Sequence, residues 1–220
     1  KIKGQKEQKI NHDVRTLLLR AEKANLTPLY ELPLKEARAE FERRSSVLEL
    51  EPEDVLKTSN ILVGDGEEKI PARLYWGHGC RHDALVIFVH GGGWVLGNVA
   101  SYDRLCRRFA NRIRLPVVSI EYRLAPEHPF PTALNDVTTA ILACSDLAQM
   151  AGVGTKKWTM MGDSAGGNLV SAALLGLPSH NHPDLQVLIY PVTDFSHNTG
   201  SRLTYSQGYL LDSSLMAWFS

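Results

Sequence analysis

Trp158-Thr159-Met160-Met161-Gly162-Asp163-Ser164-Ala165-Gly166-Gly167-Asn168-Leu169-Val170-Ser171-Ala172-Ala173-Leu174-Leu175 runs from an apolar strand pattern, through a serine among small residues, into a helical pattern. A serine on so sharp a strand-to-helix turn needs neighbours without bulk. Gly162, Ala165, Gly166 and Gly167 supply them. The Ala165 N–H, at the start of the new helix, can donate to an oxyanion. Alone the signal is weak, since G-x-S-x-G arises by chance in roughly one shuffled chain of this composition in ten.

A second stretch of the same kind lies upstream. Val, Ile and Phe fill Ala84-Leu85-Val86-Ile87-Phe88-Val89-His90, as in a strand buried on both faces, and Gly91-Gly92-Gly93-Trp94 follows at its C-terminal end. Three glycines free the backbone to turn its N–H groups toward one point. In acyl transfer that point is the oxyanion of a tetrahedral intermediate, where one lost donor costs roughly 3 to 4 kcal/mol. His-Gly-Gly-Gly is far rarer by chance than G-x-S-x-G, and the two motifs together are a strong signal.

Outward from these motifs, strands are expected at Ser59 to Val63, Ala72 to Trp76, Ala84 to His90, Pro116 to Glu121, Trp158 to Gly162 and Leu185 to Tyr190. Helices are expected at Tyr102 to Ile113, Thr132 to Met150 and Ala165 to Leu177. Strand and helix alternate from Ala84 onward, which predicts an α/β fold, a mostly parallel, doubly wound sheet with helices on both faces. Residues 1 to about 50 read instead as amphipathic helices. Val14, Leu17, Leu18 and Ala21 share one face, and Leu34, Ala37 and Phe41 recur at helical spacing.

With 24 basic against 24 acidic side chains and 44% hydrophobic residues, the chain carries no net field to draw nucleic acid or anionic lipid. A small neutral substrate fits better. The three cysteines, Cys80, Cys106 and Cys144, give neither a disulfide framework nor a metal-ligand spacing, so they read as packing residues in a reducing compartment. No apolar run is long enough to span a membrane. The expected location is cytoplasmic, and neither metal nor cofactor is called for.

His90-Gly91-Gly92-Gly93-Trp94, Tyr122-Arg123-Leu124-Ala125-Pro126-Glu127-His128-Pro129-Phe130-Pro131 and Gly162-Asp163-Ser164-Ala165-Gly166-Gly167-Asn168 resemble the three signatures of the hormone-sensitive-lipase-like carboxylesterases, a family of the α/β-hydrolase fold. The resemblance covers nearly the whole chain. Residues 1–50 resemble part of that family's helical cap and 51–220 its hydrolase core, without the last strands. It implies Ser164 as nucleophile, Gly92, Gly93 and Ala165 as oxyanion donors, and a small ester as substrate. His90 and Gly91 then support the glycine loop, and Trp94, Leu96 and Tyr209 are candidates for the substrate pocket, with core packing the competing reading.

The same family places an acid and a histidine on loops roughly a hundred residues beyond the serine. This chain runs only to Ser220, so both are expected outside it, in a remainder that is either a separate cleaved chain or the rest of the gene product. The start, Lys1 rather than Met, reads as trimmed. Ending after the sixth strand is expected to leave that strand an unpaired, partly apolar edge. A homodimer is compatible with the sequence but not specified by it.

Other candidates for acid and base read as structural. His180 and His182 fall before a strand, at the end of the sheet away from the serine. Asp194 and His197 follow a strand but are only three residues apart. His128, between prolines, reads as fixing a turn, and Asp163 as bonding local backbone. Two further functions remain in view. A chain lacking the base could be a small-ligand receptor on this fold, as plant hormone receptors resembling the family are. A dinucleotide loop at Gly91 to Gly97, with Glu121 as the ribose acid, misses both the glycine spacing and the position of the acid.

Overall fold

The computed structural model describes residues 10–48, 51–65, 69–154, 157–194 and 199–220. Its described strands are Lys57–Val63 (β1), Ile70–Trp76 (β2), Leu85–Val89 (β3), Val117–Ile120 (β4), Trp158–Asp163 (β5) and Leu185–Ile189 (β6), which join in one sheet of order β1-β2-β4-β3-β5-β6. The helices are His12–Ala24 (α1), Leu34–Leu48 (α2), Asp103–Ile113 (α3), Thr132–Leu142 (α4), Cys144–Met150 (α5), Ala165–Leu175 (α6), Gly200–Thr204 (α7) and Ser213–Phe219 (α8).

β4, β3, β5 and β6 are parallel, whereas β1 pairs antiparallel with β2, and β2 with β4. The doubly wound α/β sheet read from the sequence is therefore present, with an antiparallel pair at one side. Parallel neighbours need crossovers, and α3, α4 with α5, and α6 provide them. Tyr75, Val86, Phe88, Val117 and Met161 meet Cys106 and Ala110 of α3 on one face. On the other, Leu74, Leu85, Ile87, Val118 and Met160 form one cluster with Val137 and Ala140 of α4 and Val170 and Ala173 of α6. Covered on both sides, β3 and β4 are at most 2% exposed at every position. That is why β3 reads as an unbroken apolar run.

The single helix expected over Thr132 to Met150 is two, parted at Ala143 (φ −84°, ψ 8°). Ile141 and Leu147 explain the break. In one straight helix, residues six apart point roughly 240° around the axis from each other, yet both are only 1% exposed in the same cluster. The turn re-aims α5 so that Leu147 reaches the core.

A buried ion pair ties the segment after β4 to α4. Asp136, its side chain 2% exposed, accepts from the Arg123 side chain at 2.7 Å and from the Arg123 backbone N–H at 2.9 Å. Asp136→Ala removes the acceptor of that N–H and the buried carboxylate that the guanidinium meets at 2.7 Å. Because Arg123 retains some solvent contact, the expected loss is about 2 to 3 kcal/mol. Urea unfolding checks this, and a change inside experimental error would remove the pair from the account.

The chain divides into two compact units, Phe41–Thr193, which holds the sheet and α3 to α6, and Lys1–Glu40 with Asp194–Ser220. In the second, α1 begins on Asn11, whose side chain accepts from the Asp13 N–H at 2.8 Å, and ends at Asn25 in the left-handed conformation. The same capping starts α8, where Asp212 accepts from the Leu215 N–H at 2.8 Å. α8 packs on the short turn Leu29–Glu31, and the Arg202 guanidinium donates to the Asp194 carbonyl. In the first unit β6 is a sheet edge among the described residues, with Leu185 and Leu188 exposed. No described helix is long and apolar enough to cross a membrane.

Candidate active site

β5 ends at Asp163 and α6 begins at Ala165, so the whole reversal falls on Ser164, at φ 50° and ψ −118°. For a residue with a side chain this backbone is strained by about 1 to 3 kcal/mol. The surroundings hold it there. The Ser164 N–H donates to the Ile189 carbonyl at 2.9 Å, and the Ser164 carbonyl accepts from Val192 N–H at 3.2 Å. Asn168, one turn into α6, donates from its side chain to the Val192 carbonyl at 2.9 Å. The segment leaving β6 thus brackets the turn. Ser164 alone stays partly accessible between buried residues 162–163 and 165–167.

Close approach explains the small neighbours. A Cβ on Gly166 would lie 2.1 Å from the Val89 carbonyl oxygen and 2.5 Å from that of His90, so the first turn of α6 rests directly on the end of β3. The glycine loop leaves β3 at that point. Gly92, Gly93 and Trp94 have φ of 111°, 62° and 62° in succession, a left-handed run in which only the glycines are unstrained. Leu96 N–H closes the loop onto the Gly92 carbonyl at 2.8 Å. Ala125 N–H anchors its tip on the Trp94 carbonyl at 2.9 Å.

Loop and turn are joined by one carboxylate. Asp163 is 5% exposed; its Oδ1 accepts from the Gly91 N–H at 2.8 Å and its Oδ2 from the Tyr102 hydroxyl at 3.0 Å. Burial raises its pKa, and the bonds from Tyr102 and Gly91 oppose the shift. Beneath the loop His90 is wholly buried, stacked on Tyr122 at 4.3 Å, with Nδ1 2.8 Å from the Gly91 carbonyl. Burial pushes its pKa down to about 4, against the bond to Gly91, so the ring is neutral at pH 7 and Nδ1 carries the proton. At the loop's exit the Val99 N–H donates to Glu121 at 2.6 Å, and the Asn98 amide to Glu42 at 2.5 Å.

Among the described residues, no protein acceptor engages the N–H groups of Gly92, Gly93 or Ala165, and no hydrogen bond engages the Ser164 hydroxyl. A hydroxyl on a strained turn beside unpaired backbone donors has the elements of acyl transfer.

The other residues singled out in the sequence lie as follows. Trp94 packs half-buried against the core cluster, and Leu96 is 1% exposed, sealed inside the protein. Tyr209 belongs to the other unit, its ring edge-on to Tyr205 at 4.9 Å. His128 is exposed, with its backbone N–H on the Leu124 carbonyl. His180 and His182 are exposed ahead of β6, at the end of the sheet opposite Ser164. His197 lies outside the described residues. Glu121, the ribose acid of a dinucleotide reading, is turned to Val99 instead. Among the described residues no cluster of three or more His, Cys, Asp or Glu could hold a metal.

Sequence reasoning did not single out Tyr102. Its signal was indirect, since a carboxylate in a buried strand end needs donors, and a tyrosine just before α3 offers one.

A family model described as the alpha/beta hydrolase fold matches residues 86–220. An ethyl acetate hydrolase of Pseudomonas putida is 34% identical over 200 residues, covering 87% of this chain and 63% of its own. The carboxylic ester hydrolase LipN of Mycobacterium tuberculosis is 40% identical over 159 residues, covering 69% of this chain and 42% of its own. The chain thus spans less than two thirds of either relative. Among solved structures, the ester hydrolase EH1AB1 from the metagenome of Lake Arreo superposes with a TM-score of 0.87 at 34% identity, over 96% of this chain and 69% of that one. With these matches and the sheet order above, the chain belongs to the α/β-hydrolase fold family, in its hormone-sensitive-lipase-like carboxylesterase branch.

Proposed function

We propose that the protein is a serine carboxylesterase acting on short to medium acyl esters. Ser164 Oγ attacks the carbonyl carbon, and the oxyanion that forms is held by the N–H groups of Gly92, Gly93 and Ala165. The carbon–alkoxy bond breaks, the alcohol leaves with a proton, and the acyl group stays on Ser164 until water adds and releases the acid. The reading rests on one observation above all: the strained Ser164 turn and the unpaired Gly92–Gly93 donors are held side by side through the Asp163 to Gly91 bond. The general base and its carboxylate are assigned to no described residue. Ester preference follows the relatives' activities, among them the ethyl acetate hydrolase. Cys80, Cys106 and Cys144, none of them in a disulfide, suit a cytoplasmic setting.

A ligand receptor is the second reading. In its favour, His90 is sealed against Gly91 and, among the described residues, no histidine is found hydrogen-bonded to Ser164. The full-length protein, offered p-nitrophenyl acetate, butyrate and palmitate, is expected to turn over the first two many times per molecule and the last poorly. Stoichiometric binding of a small ligand with no turnover of any ester would replace the esterase by the receptor.

A further inference from the structure

We infer that Asp163 and Tyr102 form a positioning couple, in which the Tyr102 hydroxyl orients the Asp163 carboxylate so that it fixes the oxyanion loop against the nucleophile turn. The inference rests on the reading of Ser164 as nucleophile. Neither residue touches the reacting atoms in this account. What they set is the spacing between two backbone segments that must work together.

The geometry gives each oxygen of the carboxylate its own task. Oδ1 accepts from the Gly91 N–H at 2.8 Å, and Gly91 directly precedes the two donors Gly92 and Gly93. The carboxylate itself hangs from the residue directly preceding Ser164. One side chain therefore links the residue before the nucleophile to the residue before the donors. Oδ2 accepts from the Tyr102 hydroxyl at 3.0 Å, which stops the carboxylate rotating away from Gly91. The fit is close, since a Cβ on Gly91 would come within 2.5 Å of Oδ2.

Tyr102 is itself held. Its backbone N–H bonds the Asn98 carbonyl, and its ring lies 5.8 Å from Phe88 and 5.4 Å from His90. With the far end of the loop pinned by Glu121 on Val99, the Gly91 bond is the tether on the near side. A merely structural pair would tolerate a small displacement. Transition-state stabilisation does not, because oxyanion donors act over a few tenths of an ångström.

The test is a set of variants of the full-length protein assayed with p-nitrophenyl butyrate, each with its urea unfolding curve. Asp163→Ala is expected to lower kcat about 100-fold with KM within about threefold, as for a misplaced catalytic group. Tyr102→Phe is expected to lower kcat about tenfold, because Gly91 keeps its acceptor but the carboxylate loses its orientation. Asp163→Asn restores most of the rate lost in Asp163→Ala, since its amide oxygen can accept from Gly91 and its NH2 can donate to the Tyr102 oxygen. Tyr102→Phe added to Asp163→Ala is expected to cost nothing more, because both act through one carboxylate.

Unchanged kcat in folded Tyr102→Phe, full additivity in the double variant, or Asn no better than Ala would each overturn the couple. If Asp163→Ala does not fold, Tyr102→Phe and Asp163→Asn, which keep the local volume, decide the matter. Labelling with a fluorophosphonate separates this inference from the reading it rests on. Slowed labelling that still falls on Ser164 supports the couple, labelling of Ser164 at the wild-type rate in Tyr102→Phe refutes it, and labelling at a different residue refutes the nucleophile.

Discussion

Ser164→Ala in the full-length protein is expected to lower kcat for p-nitrophenyl acetate by at least about a thousandfold and to leave KM close to the wild-type value. What is expected to survive is the contribution of binding and of the proposed oxyanion donors, which the substitution does not touch. The usual confounder is unfolding, and here it is small. No hydrogen bond from a described residue engages the Ser164 hydroxyl, and the residue is partly accessible. Alanine at the strained φ of 50° is no worse placed than serine. The variant should therefore melt within about 1 kcal/mol of the parent, so lost activity reports chemistry. Rates within tenfold of wild type would show that the nucleophile lies elsewhere.

Gly166→Ala gives the second large effect, on stability first. The added methyl would stand 2.1 Å from the Val89 carbonyl oxygen and 2.5 Å from that of His90. Both obstacles are backbone at the end of β3, whose flanks are hydrogen-bonded to β4 and β5. Neither can step aside, so α6 must move off the sheet. The expected cost is at least about 3 kcal/mol, and activity falls further because the turn and the glycine loop part company. Gly176→Ala at the other end of α6 is the control. Its Cβ would meet nothing nearer than 3.6 Å, and the backbone there is right-handed helical. Urea unfolding should place Gly176→Ala within about 1 kcal/mol of the parent. Equal stabilities for the two variants would refute the contact at Gly166.

Much of this fold was legible because both-face burial leaves a plain mark. β3 reads as five consecutive apolar residues for the reason that α3 covers one side and α4 with α6 the other. The strand-to-helix turn was legible for a related reason, since its glycines answer to backbone only a few residues away as well as to β3. Strand direction was not. Residues 70–74 alternate as a half-buried strand would before Leu74 and Tyr75 are buried on opposite faces, and nothing in that pattern says that the strand runs antiparallel to β4. The break at Ala143 was hidden likewise, because the need to bury Leu147 arises only once the core exists.

The candidate site divides along the same line. Ser164 and the three glycines stood out as local patterns. The sequence reads Asp163 as bonding local backbone; the fold adds two distant partners, Gly91, 72 positions away in the chain, and Tyr102, 61 positions away. No local spacing encodes a contact of that range. It becomes visible only when β3 and β5 are placed as parallel neighbours, with Val89 beside Gly162.

In the proposed reaction Ser164 carries the acyl group during turnover. This is tested most directly by treating the full-length protein with a fluorophosphonate until ester hydrolysis stops and then mapping the modified residue by peptide mass spectrometry. One phosphonyl group per chain is expected, on Ser164, with hydrolysis lost in step with its incorporation. Complete inhibition with Ser164 unmodified, or stoichiometric modification of Ser164 with hydrolysis unimpaired, would contradict it.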